Sequence, residues 1–313
     1  MTFRTILPIP KAPFEIDYHT PILTLGSCFT ENIGERLKAL RLPISINPFG
    51  IVYNPISIAN SINYLMTDVF FTEKDIFKYN ELYHSWQHHG RFSSPDSAKI
   101  LMGVNVEMEQ GRNTIKKMKI LMLTLGTAHI FIEKKSGQVV ANCHKVPASH
   151  FEEKRLSVAD IVGKLSDTFE KTTRQNIDCQ IIITVSPIRH IKDGLVENQR
   201  SKATLLLAAE ALSKQYKNVH YFPAYEIMMD DLRDYRFYEA DMIHPNCQAI
   251  DYIWRRFLDT YFLEKTQGIM REVGKLNTMQ NHRPLHDDTE GYQQFVDKIK
   301  KYEADLKAKY AFL

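Results

Sequence analysis

Three runs of consecutive apolar residues constrain this chain most: Ile22-Leu-Thr-Leu25, Ile120-Leu-Met-Leu-Thr-Leu125 and Ile181-Ile-Ile-Thr-Val185. Each is too short for a helix and shows no polar alternation, so each reads as a strand buried on both faces. Ile44-Ser-Ile46 and Val219-His-Tyr-Phe222 read as two further strands. Helical stretches lie between and after them. Glu31 to Leu40 places Ile33, Leu37 and Leu40 on one face, an Ala/Leu-rich helix runs from roughly Ser201 to Tyr216, and another from Pro245 to about Leu263. Buried strands separated by helices imply an α/β protein with a parallel sheet of about five strands covered on both faces. Ligands of such sheets bind beyond the carboxyl ends of the strands. Here those ends carry Gly26-Ser27, Asn47 to Gly50, Gly126-Thr127 and Ser186 to His190.

Two segments fall outside that pattern. Residues 55–118 are too long for a simple connection and are expected to form a helical insertion. Residues 266–313 are polar, with Gly291 to Tyr310 reading as a Lys/Glu-studded helix, and are expected to form a helical extension to a domain spanning 1–265. A chain of 313 residues allows two domains, but one decorated sheet accounts for it better.

Forty Lys+Arg against thirty-seven Asp+Glu leave a net charge of +3, which argues against a nucleic-acid binder. No run approaches the ~20 apolar residues of a membrane span. Pro8 and Pro10 interrupt the start, which has no signal-peptide core. Cys28, Cys143, Cys179 and Cys247 are scattered, with no C-x-x-C pair. The expected setting is cytoplasmic, with reduced thiols and no membrane partner.

Ser27 follows a strand and precedes a helix, with Gly26 permitting the tight turn. A serine there is either a nucleophile exposed at the sheet's top edge or simply the cap of the helix. Cys28 is a rival nucleophile or a small buried filler. Near the other end, Asp241-Met-Ile-His244 places an acid three residues before a histidine. Such an acid can accept from Nδ1–H and leave Nε2 free to take a nucleophile's proton. Alternatively it caps the helix that follows. His84 and His88 sit at helical i, i+4 spacing beside Trp86 and Phe92, open to a metal site or, in the preferred reading, a pocket wall. His144, Arg189 and His190 follow apparent strand ends and are candidates to bind substrate. Arg189 is equally open to pairing with Asp193 to hold its loop.

Taken in order, Gly26-Ser-Cys-Phe-Thr30, Asn47-Pro-Phe-Gly50, Tyr53-Asn-Pro55, Thr124-Leu-Gly-Thr127, Asn142-Cys-His-Lys145, Val185-Ser-Pro-Ile-Arg-His190, Asp193-Gly194, Glu197-Asn198, Asp234-Tyr-Arg-Phe-Tyr238 and Asp241-Met-Ile-His-Pro245 resemble the GSCFA family, a relative of the SGNH (GDSL-like) hydrolases. The resemblance spans about residues 21–263 and implies a flavodoxin-like, three-layer α/β/α fold with Ser-His-Asp esterase chemistry. It implies Ser27 as nucleophile, Asp241 and His244 as its relay, and backbone N–H groups of Ser27 and Gly50 in the oxyanion hole. Where SGNH enzymes carry G-x-N, this chain reads Gly126-Thr127-Ala128, so Thr127, Asn142 or Asn54 is expected to replace the asparagine. The expected activity is hydrolysis of an O-acyl ester, acetyl among the candidates and a carbohydrate among its carriers, with no metal or organic cofactor. Two rivals stay open: an acyltransferase using the same serine, and a non-catalytic glycan- or peptide-binding module.

Overall fold

The computed structural model describes residues 4–192, 194–282 and 289–313. Along the chain the elements are β1 (Ile22–Gly26), α1 (Cys28–Ala39), β2 (Ile44–Ile46), α2 (Pro55–Leu65), β3 (Phe77–Tyr79), β4 (Leu82–His84), α3 (Ser97–Ile115), β5 (Ile120–Leu125), β6 (His129–Glu133), β7 (Val139–Val140), β8 (Phe151–Arg155), α4 (Val158–Gln175), β9 (Gln180–Val185), α5 (Leu195–Gln215), β10 (Val219–Tyr221), α6 (Ala224–Glu226), α7 (Cys247–Tyr261), α8 (Glu264–Gln280) and α9 (Glu290–Lys309).

The five expected strands pair in the order β10-β9-β5-β1-β2, all parallel. Successive side chains on a strand point to opposite faces, so each apolar run feeds two cores at once. Leu23, Leu25, Leu121, Leu123, Ile181 and Ile183 pack toward α2, α3, α4 and α5. Ile22, Ile120, Met122 and Ile182 pack on the opposite side with Phe29 and Ile33 of α1, Ile253 and Phe257 of α7, and Val273 of α8. The architecture is therefore a three-layer α/β/α sandwich. The order reverses between β1 and β5, and the carboxyl ends of those two strands mark the crevice where such folds bind ligands.

The structure redraws the segment 55–118. Far from decorating the surface, α2 and α3 bury Ile58, Ile62, Leu65, Ile100, Val104 and Met108 against the sheet, forming part of one core layer. The β3–β4 hairpin lies between them, and it corrects the helical spacing expected for two histidines. His84 ends strand β4 and His88 lies in the turn beyond it. A second sheet of antiparallel strands, in the order β7-β6-β8, follows β5. Helix α5 begins at Leu195, six residues before the expected start. In the C-terminal part, α8 buries Ile269, Met270, Val273 and Leu276, so it belongs to the core, whereas α9 buries only Leu306. Among the described residues no helix is long and apolar enough to cross a membrane.

Candidate active site

At the end of β1 the chain passes so close to β5 that a Cβ on Gly26 would lie 2.4 Å from the Thr124 carbonyl oxygen, and its φ is +147°. Only glycine fits there. Ser27 follows as the N-cap of α1: its Oγ accepts from the Phe29 N–H at 3.3 Å, and the residue has no exposed surface. Cys28, the first residue of α1, is half-buried and opens onto a groove lined by Glu31, Asn32, Glu35 and Arg36. Burial, and with it the Glu31 carboxylate, raises its pKa, opposed by the N–H groups of Cys28 and Phe29 and by the positive charge of Lys202.

Asn47, just past β2, locks this corner. It adopts φ +44°, which asparagine tolerates better than most residues. Its N–H donates to Thr24 O and its Oδ1 accepts from the Gly26 N–H, both at 2.9 Å. That acceptor role fixes which way the amide faces. The opposite end, Nδ2, is buried and finds no partner. Gly50 donates its own N–H to the Asn47 carbonyl at 2.7 Å, so in this arrangement that N–H is committed.

The acid and the histidine form one rigid turn. His244 Nδ1 lies 2.7 Å from Asp241 Oδ2, while Asp241 Oδ1 accepts from the N–H groups of Ile243 at 2.8 Å and His244 at 3.0 Å. These bonds, the His244 backbone first, hold the Asp241 carboxyl down to about 2. An ionised carboxylate only accepts, so Nδ1 carries the proton and Nε2 presents a lone pair. The turn rests on the loop after β9, through Arg189 N–H to Ile243 O at 3.4 Å and Arg189 Nη1 to Met242 O at 3.5 Å. Arg189 itself lies over Tyr238, 4.4 Å from the ring centroid. Its expected pairing with Asp193 falls outside the described residues.

The structure unites Asp241 with His244 but joins neither to the Ser27 hydroxyl by a hydrogen bond. Thr127 Oγ1 pairs with Ser201 Oγ at 3.1 Å, Asn142 Oδ1 accepts from the His144 N–H at 2.8 Å, and Asn54 Oδ1 caps α2 through Ser57 N–H at 2.8 Å. His84, His88 and His144 gather in the hairpin region. His84 and His144 ring centroids are 4.5 Å apart, and His88 stacks on Phe49 at 4.6 Å. Burial holds His88 down to about 3 and His144 to about 4. Among the described residues no group of His, Cys, Asp and Glu is arranged to hold a metal. A cavity of about 470 Å³ lies along α2, lined by Asn60, Asn63, Tyr64, Gln87 and Gln138, and does not include Ser27, Asp241 or His244.

One group was missed in the sequence. Lys202, on α5, is almost wholly buried, and its Nζ donates at 2.7 Å to both Gly126 O and Ser186 O, tying the loop after β5 to the loop after β9. Burial pushes it down to about 7. A signal existed: Asn198, Ser201, Lys202, Leu205, Ala208, Ala209 and Leu212 form one inward stripe at helical spacing. His190 lies edge-on to Tyr53 at 5.2 Å. Burial, then the charges of Lys202 and His244, hold it down to about 3.

The model of the GSCFA family matches residues 21–257, and that of the GSCFA domain protein, C-terminal domain, matches residues 273–313. Comparison with curated proteins gives no match. Among solved structures, the chain is similar to an acetyl xylan esterase from the rumen bacterium Butyrivibrio proteoclasticus, at 11% identity and a TM-score of 0.39, covering 85% of this chain and 67% of that one. It is also similar to a carbohydrate esterase family 3 protein from Talaromyces cellulolyticus, at 12% identity and a TM-score of 0.33, covering 81% and 99%.

Proposed function

The chain belongs to the GSCFA family, and from that premise we propose that it is an ester hydrolase of SGNH type that works through an acyl-enzyme. The observation that carries the reading is the Asp241–His244 unit, closed at 2.7 Å with Nε2 left as the base. Attack comes from the corner where Gly26, Ser27 and Cys28 open α1, and the reading holds whichever side chain there delivers it. His244 takes the nucleophile's proton as the bond to the carbonyl carbon forms, then hands it to the departing alkoxide. The start of α1, with the helix dipole behind it, favours the oxyanion. Water then attacks the acyl-enzyme with His244 again as base, releasing the acid.

The substrate class we propose is an O-acyl ester, with an acetylated carbohydrate the first to test. Supporting that choice is the family resemblance. Turnover of p-nitrophenyl acetate by the intact chain tests the reading. His244→Ala is expected to lower kcat on the order of 10³-fold or more with the fold retained. Undiminished turnover in that variant overturns the hydrolase assignment. Acceleration by an added sugar acceptor, with acyl transfer outpacing hydrolysis, moves the assignment to a transferase.

A further inference from the structure

We propose that Lys202 is a positioning residue that sets the distance between the Ser27 corner and the Asp241–His244 turn; this rests on the ester-hydrolase reading. It does so by holding the loop after β5 and the loop after β9 on one nitrogen. Ser27 and His244 come from opposite ends of the chain, and among the described residues no hydrogen bond joins them. Their separation is therefore fixed by the loops that carry them.

One series of bonds runs from Lys202 toward the serine. Nζ donates to Gly126 O at 2.7 Å, and the Gly126 N–H donates to Tyr53 O at 2.7 Å. Val52, one residue before Tyr53, donates its N–H at 3.0 Å to the carbonyl of Gly26, the residue that precedes Ser27. The path is tightly packed, because a Cβ on Gly126 would lie 3.1 Å from Tyr53 O and 3.2 Å from Tyr53 Cβ. A second series runs toward the histidine. Nζ donates to Ser186 O at 2.7 Å, and Ser186 Oγ accepts from the Ile188 N–H at 3.3 Å. Arg189, the next residue, donates its N–H to Ile243 O at 3.4 Å and its Nη1 to Met242 O at 3.5 Å. Met242 and Ile243 are the two residues enclosed by the Asp241–His244 bond. Neighbours on the inward stripe of α5 hold one loop each: Asn198 Oδ1 accepts from the His190 N–H at 2.9 Å, and Ser201 Oγ from the Ala128 N–H at 2.7 Å. Lys202 holds both.

What the amine adds over an apolar side chain is this double hold. Lys202 is buried and pairs with no carboxylate among the described residues. Methionine would fill much the same space without burying a polar head, which costs free energy that only good partners offset. The distinct property of lysine is one nitrogen, at the end of a flexible stem, with N–H groups enough for two carbonyls at once. Lys202 acts through the two loops and touches neither substrate nor reacting atoms.

Steady-state kinetics on p-nitrophenyl acetate test this, with each variant of the intact chain checked by circular dichroism and a thermal melt. Lys202→Met is expected to lower kcat per folded molecule on the order of 10²-fold while KM changes less than about threefold, because a misplaced base slows the chemical step without removing a binding contact. Lys202→Gln keeps two N–H groups on one nitrogen but on a shorter stem, so its kcat should lie about tenfold above that of Lys202→Met and still below wild type. Fluorophosphonate labelling of Ser27, read by mass, should slow in Lys202→Met by the same order as kcat, since it needs the serine and the histidine in register. Arg112→Met is the matched control. Arg112, on α3, is also buried and also donates to two carbonyls, Thr67 O and Val69 O. Its loss should lower the melting temperature and leave kcat per folded molecule unchanged. Wild-type kcat or labelling in either folded Lys202 variant overturns the proposal, as does a loss in Arg112→Met as large as that in Lys202→Met. An active wild type beside a dead His244→Ala then leaves the hydrolase reading standing alone. If wild type neither turns over the ester nor takes up the fluorophosphonate, that reading fails and the proposal falls with it.

Discussion

Asp241 and His244 form a closed unit, in which one carboxylate orients the ring through Nδ1 at 2.7 Å and holds the turn through two backbone N–H groups. Asp241→Asn separates these tasks. The amide oxygen still accepts from Ile243 and His244, so the turn survives, but the NH₂ group faces Nδ1 and forces the proton onto Nε2. With the base in the wrong tautomer, kcat for p-nitrophenyl acetate is expected to drop on the order of 10³–10⁴-fold. Stability should change little, because the site is half-exposed. Steady-state kinetics beside a thermal melt check both, and an unchanged kcat would show that Asp241 does not set the tautomer.

What the sequence made legible follows physical rules. Ile22 to Leu25, Ile120 to Leu125 and Ile181 to Val185 are buried on both faces, and a run without alternation has that meaning. The second sheet escaped notice because its edge strand β8, Phe151-Glu-Glu-Lys-Arg155, exposes all but its first residue. Charged edges discourage strand pairing with other chains and also disguise the strand. The local Asp241–His244 pair was readable because three residues of spacing close it. The buried lysine was not, since it depends on contacts with the distant segments that carry Gly126 and Ser186. Lys202 sits in a Glu/Arg-rich helix start, where a lysine ordinarily reaches water.

Lys202 should leave a mark on alkaline stability. Burial lowers its pKa from 10.5 to about 7 in the folded chain. Between those two values the unfolded chain binds more protons than the folded one, so stability rises as pH rises through the window. Lys202→Met removes that contribution, whatever the net cost of leaving Gly126 O and Ser186 O without their donor. Urea unfolding at pH 7 and pH 9.5 is expected to show a smaller gain, or a larger loss, with pH in the variant than in wild type. Identical pH dependence would mean that the amine is solvated in solution.

His88 predicts the opposite limb. It is buried and neutral, held down to about 3 from 6.5, chiefly by burial and then by His144 and Arg91. The unfolded chain takes up a proton below its pKa near 6.5 while the folded one does not, so stability is lost as pH falls from there toward 3. His88→Phe keeps a ring against Phe49 and removes the unpartnered Nε2, at the loss of the 2.9 Å bond to Ser85 Oγ. Denaturant midpoints are expected to fall less between pH 7 and pH 4.5 in this variant than in wild type.

Gly50 governs how the insertion closes over the corner. At φ +73° a Cβ there would lie 2.3 Å from His89 Cβ. The segment it would strike is pinned by His89 N–H to Phe49 O at 2.9 Å and by Arg91 Nη2 to Asn47 O at 2.9 Å. Arg91 also reaches Glu31 in the first turn of α1 at 3.3 Å. Backbone strain of this kind costs about 1–3 kcal/mol, so Gly50→Ala should melt several degrees lower. The relief lies in lifting residues 89–91, so trypsin is expected to cut after Arg91 faster than in wild type. Gly90→Ala, where a Cβ meets nothing within 4 Å, is the control that should change neither property. If Gly50→Ala melts and cleaves like wild type, the segment is not seated on Gly50, and access to the corner is not governed there.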